Sequence, residues 1–206
     1  MRVFLAIVAT LFFVSGLTAE DMSTVNYSTD NRLLSEVKTR MILDNGLVIH
    51  IWEWNEKAKE LGLTPKAEIV DYCFTGQRLE DELLLGPAYA MSKVLDQTKL
   101  SLNDIDVFEI HEAFAGQVLT NIKCLADDEF CKIELQKEKP VGEININKVN
   151  KWGGSLSIGH PFGATGARLL TTAANRLIEE NGQYAMLSAC AAGAHGHAMI
   201  IKKYEG

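Results

Sequence analysis

A chain of 206 residues, 47% hydrophobic and 23% charged, is long enough to bury a core in one domain or two, and this composition argues against wholesale disorder. Acidic residues outnumber basic ones 27 to 20, for a net charge of -7, which argues against a nucleic-acid partner bound through clustered Lys and Arg. A small anionic ligand held by backbone amides stays open. The four cysteines, Cys73, Cys124, Cys131 and Cys190, form no CxxC pair and no regular spacing, so they read as intracellular thiols, not as a zinc knuckle or a disulfide framework.

In chain order, Arg2, the run "VFLAIVATLFFV" and the small residues of "SGLTAE" make residues 1–19 a signal-like apolar leader. It is shorter than the roughly 20 apolar residues that span a bilayer, and a single arginine fits a transit peptide poorly. The plainer alternative is a buried strand or helix. Asn26-Tyr27-Ser28 is an N-glycosylation acceptor that matters only on export. Residues 20–53 read as a linker or irregular arm, with at most a short helix over Leu33 to Met41, and the folded unit as 54–206. "DNGLVIHIW" predicts a turn at Asn45-Gly46 feeding a strand. "EWNEKAKELGL" has helical spacing until Gly62 and Pro65 stop it.

"KAEIVDYCF" is strand-like, and "GPAYAMSKVLDQTKLS" predicts a helix opened by Pro87 with Ala88, Met91, Val94 and Leu95 on one face. "DIDVFEI" predicts a strand ending near Ile110, with His111 on a sharp corner and Glu112 in the first turn of the next helix. "KWGGSLSIGHPFGATG" reads as a glycine-rich loop, and "ARLLTTAANRLIEENG" as a helix closed by Gly182. "QYAMLSAC" and "HGHAMIIKKY" read as two strands around the tight loop "CAAGAHG". Strands alternating with helices indicate an α/β layer structure.

Three corners carry candidate chemistry: His111, His160 in the glycine loop, and Cys190 at the tip of the final hairpin. Loops at strand ends can aim side chains from a rigid scaffold, and a Cys near a His serves acid–base or thiolate chemistry when neighbours shift its pKa. Each has a structural alternative: Cys190 as a buried core thiol, His111 as a helix cap. A His-Pro pair inside five glycines has little packing reason. Nucleotide fingerprints fail, because the run lacks the Lys-Ser/Thr ending of a P-loop and no GxGxxG follows a strand. His195 and His197 alternate onto one strand face, but no carboxylate joins them and no metal site is expected.

"HEAFAGQVL", "NKWGGSLSIGHPFGATGARLL" and "SACAAGAHGHAMI" resemble, in order and separation, the three C-terminal signature blocks of the thiolase family. With "LLLGPAYAMSKVLDQTKLSLNDID" the resemblance runs from about Trp54 to the C-terminus, and within the family it points to the trifunctional-type branch. The resemblance implies a thiolase-like layered fold, a mixed sheet with helices on both faces, of which this chain carries the C-terminal domain only. It implies an acyltransferase that cleaves 3-oxoacyl-CoA with CoA in fatty-acid beta-oxidation, with CoA as co-substrate and no resident cofactor.

By the same resemblance His160 activates a nucleophilic cysteine and helps hold the thioester oxygen, and Cys190 is the general acid/base. His111 takes the place of the usual Asn at one oxyanion hole. Ala192, in a Cys-Ala-Ala run where Cys-x-Gly is usual, offers its N–H to the other, and Gly159, Gly163 and Gly193 shape the substrate loops. The nucleophilic cysteine belongs to a first domain that this sequence does not encode, and Cys73, Cys124 and Cys131 match nothing in its block. The expected partners are acyl-CoA and CoA, a thiolase N-terminal domain or a homo-oligomer, and a trifunctional-type alpha subunit. The chain then reads as a half or partial gene model of a mitochondrial enzyme. The alternative is a non-catalytic acyl- or partner-binding module, exported if the leader is a signal.

Overall fold

The computed structural model describes residues 40–42, 48–50, 62 and 64–205. The apolar leader, residues 33–39 of the expected short helix and the helical repeat over 54–61 lie outside the described residues. Six strands form one mixed sheet in the order β2-β1-β3-β6-β5-β4. They are β1 (Arg40–Ile42), β2 (Val48–His50), β3 (Ala67–Gly76), β4 (Val107–Ile110), β5 (Tyr184–Ala191) and β6 (His195–Lys203). β4 and β5 run parallel, and all other neighbours are antiparallel.

Two expectations near the N-terminus are corrected. Arg40–Ile42 is a strand and not the end of a helix, and with β2 it forms the outer edge of the sheet inside the stretch read as an irregular arm. Three-residue strands are too short to show alternation, so pairing defines them, β1 against β3 and β2 against β1. The strand expected after Asn45-Gly46 is β2.

Helices cover both faces, because successive residues of each central strand point to opposite sides and both sides are apolar. On one face α2 (Gly86–Thr98) and α3 (Ala115–Ala126) bury Met91, Val94, Leu95 and Leu125 against Phe108, Ile110, Met186, Ala198 and Ile200. On the other, α6 (Thr165–Glu179) buries Leu169, Leu170, Ala173 and Leu177 against Val107, Ala185, Leu187 and Ile201. Short helices α1 (Leu79–Glu82), α4 (Asp128–Ile133) and α5 (Ser155–Ile158) fill the connections. No helix among the described residues is long and apolar enough to cross a membrane.

The close of α6 falls to an asparagine and a glycine together. Asn181 takes the left-handed turn at φ 51°, and the Gly182 N–H then reaches back to the Leu177 carbonyl at 3.0 Å. Gly182 itself is required by crowding, since a Cβ there would lie 2.8 Å from Asp106 Cβ.

The tightest contact between layers is glycine on glycine. A Cβ on Gly196 in β6 would sit 2.1 Å from the carbonyl oxygen of Gly86, and one on Gly86 would sit 2.6 Å from the Gly196 backbone. Neither backbone can yield without moving α2 off the sheet. Gly196→Ala is therefore expected to destabilise by about 1–3 kcal/mol, or about 2–4 °C in melting temperature per kcal/mol. Gly116→Ala, in an α3 position where an added Cβ meets nothing within 4 Å, should be neutral or stabilising. A Gly196→Ala protein melting at or above the parent temperature contradicts this packing.

Candidate active site

The parallel pairing of β4 with β5 brings the carboxyl ends of both strands to one edge of the sheet. There the His111 N–H donates to the Ser188 carbonyl at 2.8 Å, pinning His111 beside β5 two residues before Cys190. β4 has no further strand on its other side among the described residues, and Asn150 closes that side instead. Its N–H donates to the Phe108 carbonyl at 2.9 Å, its Oδ1 accepts from the Ile110 N–H at 2.8 Å, and its Nδ2 donates to the Ile110 carbonyl at 2.8 Å. The left-handed φ of 45° at Asn150, a conformation Asn tolerates well, turns its amide toward the strand.

Asn150 Nδ2 also donates to Glu112 Oε1 at 2.7 Å, and Glu112 Oε2 accepts from the Leu156 N–H at 3.0 Å. Glu112 is thus not in the first turn of a helix as expected. α3 begins at Ala115, and the Glu112 carboxylate is committed to clamping the glycine loop. Gly154 makes room for that clamp, since a Cβ there would lie 2.1 Å from a Glu112 carboxylate oxygen.

The glycine loop contains the single-turn helix α5, ended by Gly159 at φ 91°, and the chain then presents His160. Gly163, at φ 84°, turns the chain into α6. The rings of His111 and His160 stack with centroids 4.1 Å apart and planes 36° apart, while Phe162, 92% exposed, meets His160 edge-on at 5.1 Å. The first turn of α6 supports both imidazoles. Thr165 Oγ1 is 2.6 Å from His160 Nδ1, and three residues on, Arg168 Nη2 donates to Ser155 Oγ at 3.4 Å, which is 3.0 Å from His111 Nδ1.

Cys190 lies within β5 opposite Gly196, not at the hairpin tip; Ala192, Gly193 and Ala194 make the turn, with φ of 84° at Gly193 and 56° at Ala194. The Ala194 carbonyl accepts from the Gln77 N–H at 2.9 Å, tying that turn to the end of β3. Strand alternation puts Cys190 on the sheet face of Met186 and Ser188. The structure thus brings His111 and His160 into contact and sets Cys190 at the same sheet edge, with no hydrogen bond from its Sγ to either ring among the described residues. Burial pushes the Cys190 thiol up, so it holds its proton at neutral pH.

Cys73 and Cys131 are buried, and their thiols donate to helix carbonyls, Cys73 to Ala90 at 3.1 Å and Cys131 to Leu125 at 3.4 Å. His197 packs on Phe74 at 4.7 Å between centroids, and burial pushes its pKa down to about 4. Among the described residues no three His, Cys, Asp or Glu side chains are grouped to hold a metal ion.

Burial, then the positive charges of His160 and Arg168, push His111 down from 6.5 to about 4, against an opposing pull from Glu112. A histidine harder to protonate when folded carries fewer protons than the unfolded chain between those two values. Stability should therefore fall as pH drops through that window and level off below it. His111→Asn, neutral throughout, should flatten part of the decline in urea midpoint between about pH 6.5 and about pH 4. A decline of unchanged steepness means that His111 is not buried neutral.

This geometry has relatives. The model of the thiolase C-terminal domain matches residues 63–203, and the chain belongs to the thiolase family. It is 54% identical over 149 residues to a probable 3-ketoacyl-CoA thiolase of Caenorhabditis elegans, covering 72% of this chain and 33% of the relative. It is 53% identical over 149 residues to the mitochondrial trifunctional enzyme subunit beta of Bos taurus, covering 72% of this chain and 31% of that one. Among solved structures, human mitochondrial 3-ketoacyl-CoA thiolase superposes with a TM-score of 0.58 at 33% identity, over 72% of this chain and 33% of that one. The Bacillus anthracis acetyl-CoA acetyltransferase gives 0.58 at 33% identity, over 76% and 34%. The chain spans about a third of the length of these relatives. The expected α/β layered fold with a mixed sheet is thereby established, as is the expected family.

Asn150, Ser155, Thr165 and Arg168 support the site, although nothing in the sequence singles them out. All four stand inside the NKWGGSLSIGHPFGATGARLL block, and only their contacts across the fold distinguish them.

Proposed function

We propose that this chain supplies the second-domain half of a thiolase site, which cleaves 3-oxoacyl-CoA with CoA to acetyl-CoA and an acyl-CoA shortened by two carbons. The observation that carries the reading is the stacked His111–His160 pair, each ring held by its own hydroxyl partner, at the sheet edge that also bears Cys190. A purely binding module has no need of two aimed imidazoles beside a protonated thiol.

The thiolysis divides into two proton-balanced halves. The thiol of a first domain gives its proton to His160 and attacks the 3-oxo carbon. The bond between the second and third carbons breaks, the acyl group stays on that sulfur, and Cys190 protonates the departing acetyl-CoA carbanion. Cys190 then takes the proton of an incoming CoA thiol, whose sulfur takes the acyl group, and the departing first-domain thiolate recovers its proton from His160. A base role at His160 Nε2 needs the hydrogen on Nδ1, donated to Thr165, whose own hydrogen then turns to the Pro161 carbonyl at 3.5 Å. His111 and the Ala192 N–H serve the two thioester oxygens, since donors aimed at developing negative charge lower the barrier.

In this reading CoA is a co-substrate and no resident cofactor or metal takes part. Exposed Phe114, Leu156, Ile158 and Phe162 on the site's side supply apolar surface for a first domain or a second copy. The mitochondrial trifunctional enzyme beta subunits among the relatives support a mitochondrial location and a partner subunit, and they lend the secretory alternative no support.

The test is hydrogen exchange at the methyl group of acetyl-CoA in deuterated water, read by mass spectrometry, with a thiolase first domain present. Cys190 as the base predicts exchange in the parent and a loss of about 10²-fold or more in Cys190→Ala. Undiminished exchange in the variant overturns the assignment.

A further inference from the structure

Ser155 stands between a cation and an imidazole. Its Oγ is 3.4 Å from Arg168 Nη2 and 3.0 Å from His111 Nδ1, and these are its side-chain partners among the described residues. A guanidinium only donates, so its N–H faces a lone pair of the Ser155 oxygen. The one hydroxyl hydrogen is then left for His111. A neutral imidazole also turns its bare nitrogen toward a nearby positive charge, because that nitrogen is the negative end of the ring dipole.

Arg168 is fixed at its other end as well. Its Nη1 lies 3.8 Å from Glu109 Oε2, inside the buried cluster that Glu109 forms with Arg176, and Arg168 Nε and Nη1 are buried without a hydrogen-bond partner. The guanidinium is held there by charge, with Nη2 left to meet Ser155. Of the other titratable groups near His111, His160 packs ring against ring at 4.1 Å, and Glu112 spends its two oxygens on Asn150 and the Leu156 N–H. It leaves the tautomer to Ser155.

We propose that Ser155 and Arg168 are positioning residues that fix His111 in the tautomer with hydrogen on Nε2, so that His111 presents a hydrogen-bond donor beside His160. Arg168 acts through Ser155 and touches no substrate. The two imidazoles then have opposite assignments at Nε2: a donor on His111 and, in the base role, a lone pair on His160. This deepens the thiolase reading, which gives the donor its task, but the tautomer is a property of the ring and can be read without turnover.

The experiment is long-range proton–nitrogen correlation NMR on the full 206-residue chain, labelled with nitrogen-15, at neutral pH. The expected spectrum has His111 Nδ1 in the unprotonated class and Nε2 in the protonated class. Ser155→Ala and Arg168→Met should lose that single pattern, and Ser155→Thr, which keeps the hydroxyl, should retain it. With a first domain present, Ser155→Ala should lower kcat about tenfold while KM changes less than about twofold. A parent spectrum with hydrogen on Nδ1, or a Ser155→Ala ring identical to the parent ring, overturns the proposal. Should Arg168→Met unfold the chain, Ser155→Ala carries the test alone. If thiolysis is absent but the ring shows the expected pattern and loses it in Ser155→Ala, the tautomer assignment stands and only the functional reading falls.

Discussion

His160→Ala, in the chain combined with a thiolase first domain, is expected to lower thiolysis by about 10²-fold or more at unchanged stability. Removing a positioned general base typically costs about 10²–10⁴-fold, and losing an oxyanion donor adds to that. Stability should hold because His160 is exposed in this chain and its ring hydrogen-bonds only Thr165 among the described residues, so its loss opens no cavity. The variant therefore separates chemistry from folding. Steady-state thiolysis and a thermal melt on the same preparation check it, and a variant with near-parental turnover shows that His160 is not the base.

The second large effect falls on the fold. Arg176 and Glu109 are fully buried, with Nη1 2.8 Å from Glu109 Oε1. Arg176 also donates to the Phe108 carbonyl at 3.2 Å, the Lys148 carbonyl at 3.1 Å and Glu180 at 2.8 Å. Burial works against its charge, but the bonds to Glu180 and Glu109 outweigh it and hold its pKa above the ordinary value. Arg176→Met leaves the Glu109 carboxylate buried with only Arg168 at 3.8 Å, and stranding one partner of a buried pair costs about 3–5 kcal/mol. That is a large share of the roughly 5–15 kcal/mol that keeps a domain folded. Urea unfolding should show the loss, and the double variant Arg176→Met with Glu109→Leu should recover much of it. A single variant as stable as the parent refutes the pairing.

What the sequence made legible follows from local physics. Helical spacing put Met91, Val94 and Leu95 on the buried face of α2, and short apolar runs marked β4, β5 and β6. His111 and His160 stood out because each sits where a regular element breaks. The supports of the site were hidden because their partners are distant in sequence: Asn150 bonds Ile110, and Arg176 bonds Glu109 across 67 residues. No periodicity signals an asparagine that completes a strand edge. Glu112 looked like a helix-start carboxylate because acidic residues favour that position, and a loop amide 44 residues away claimed it instead. Cys190 appeared at a hairpin tip because alanines on both sides and Gly193 beyond them blurred the strand end.

The most direct test is a thiolysis assay of this chain, a separate thiolase first domain, and the two together, following loss of 3-oxoacyl-CoA absorbance with free CoA. Division of the roles between two domains predicts no turnover from the chain alone, because no acyl-enzyme forms on it, and turnover from the mixture that depends on His160 and Cys190. Robust thiolysis by the chain alone, abolished by changing Cys73, Cys124 or Cys131, would contradict it.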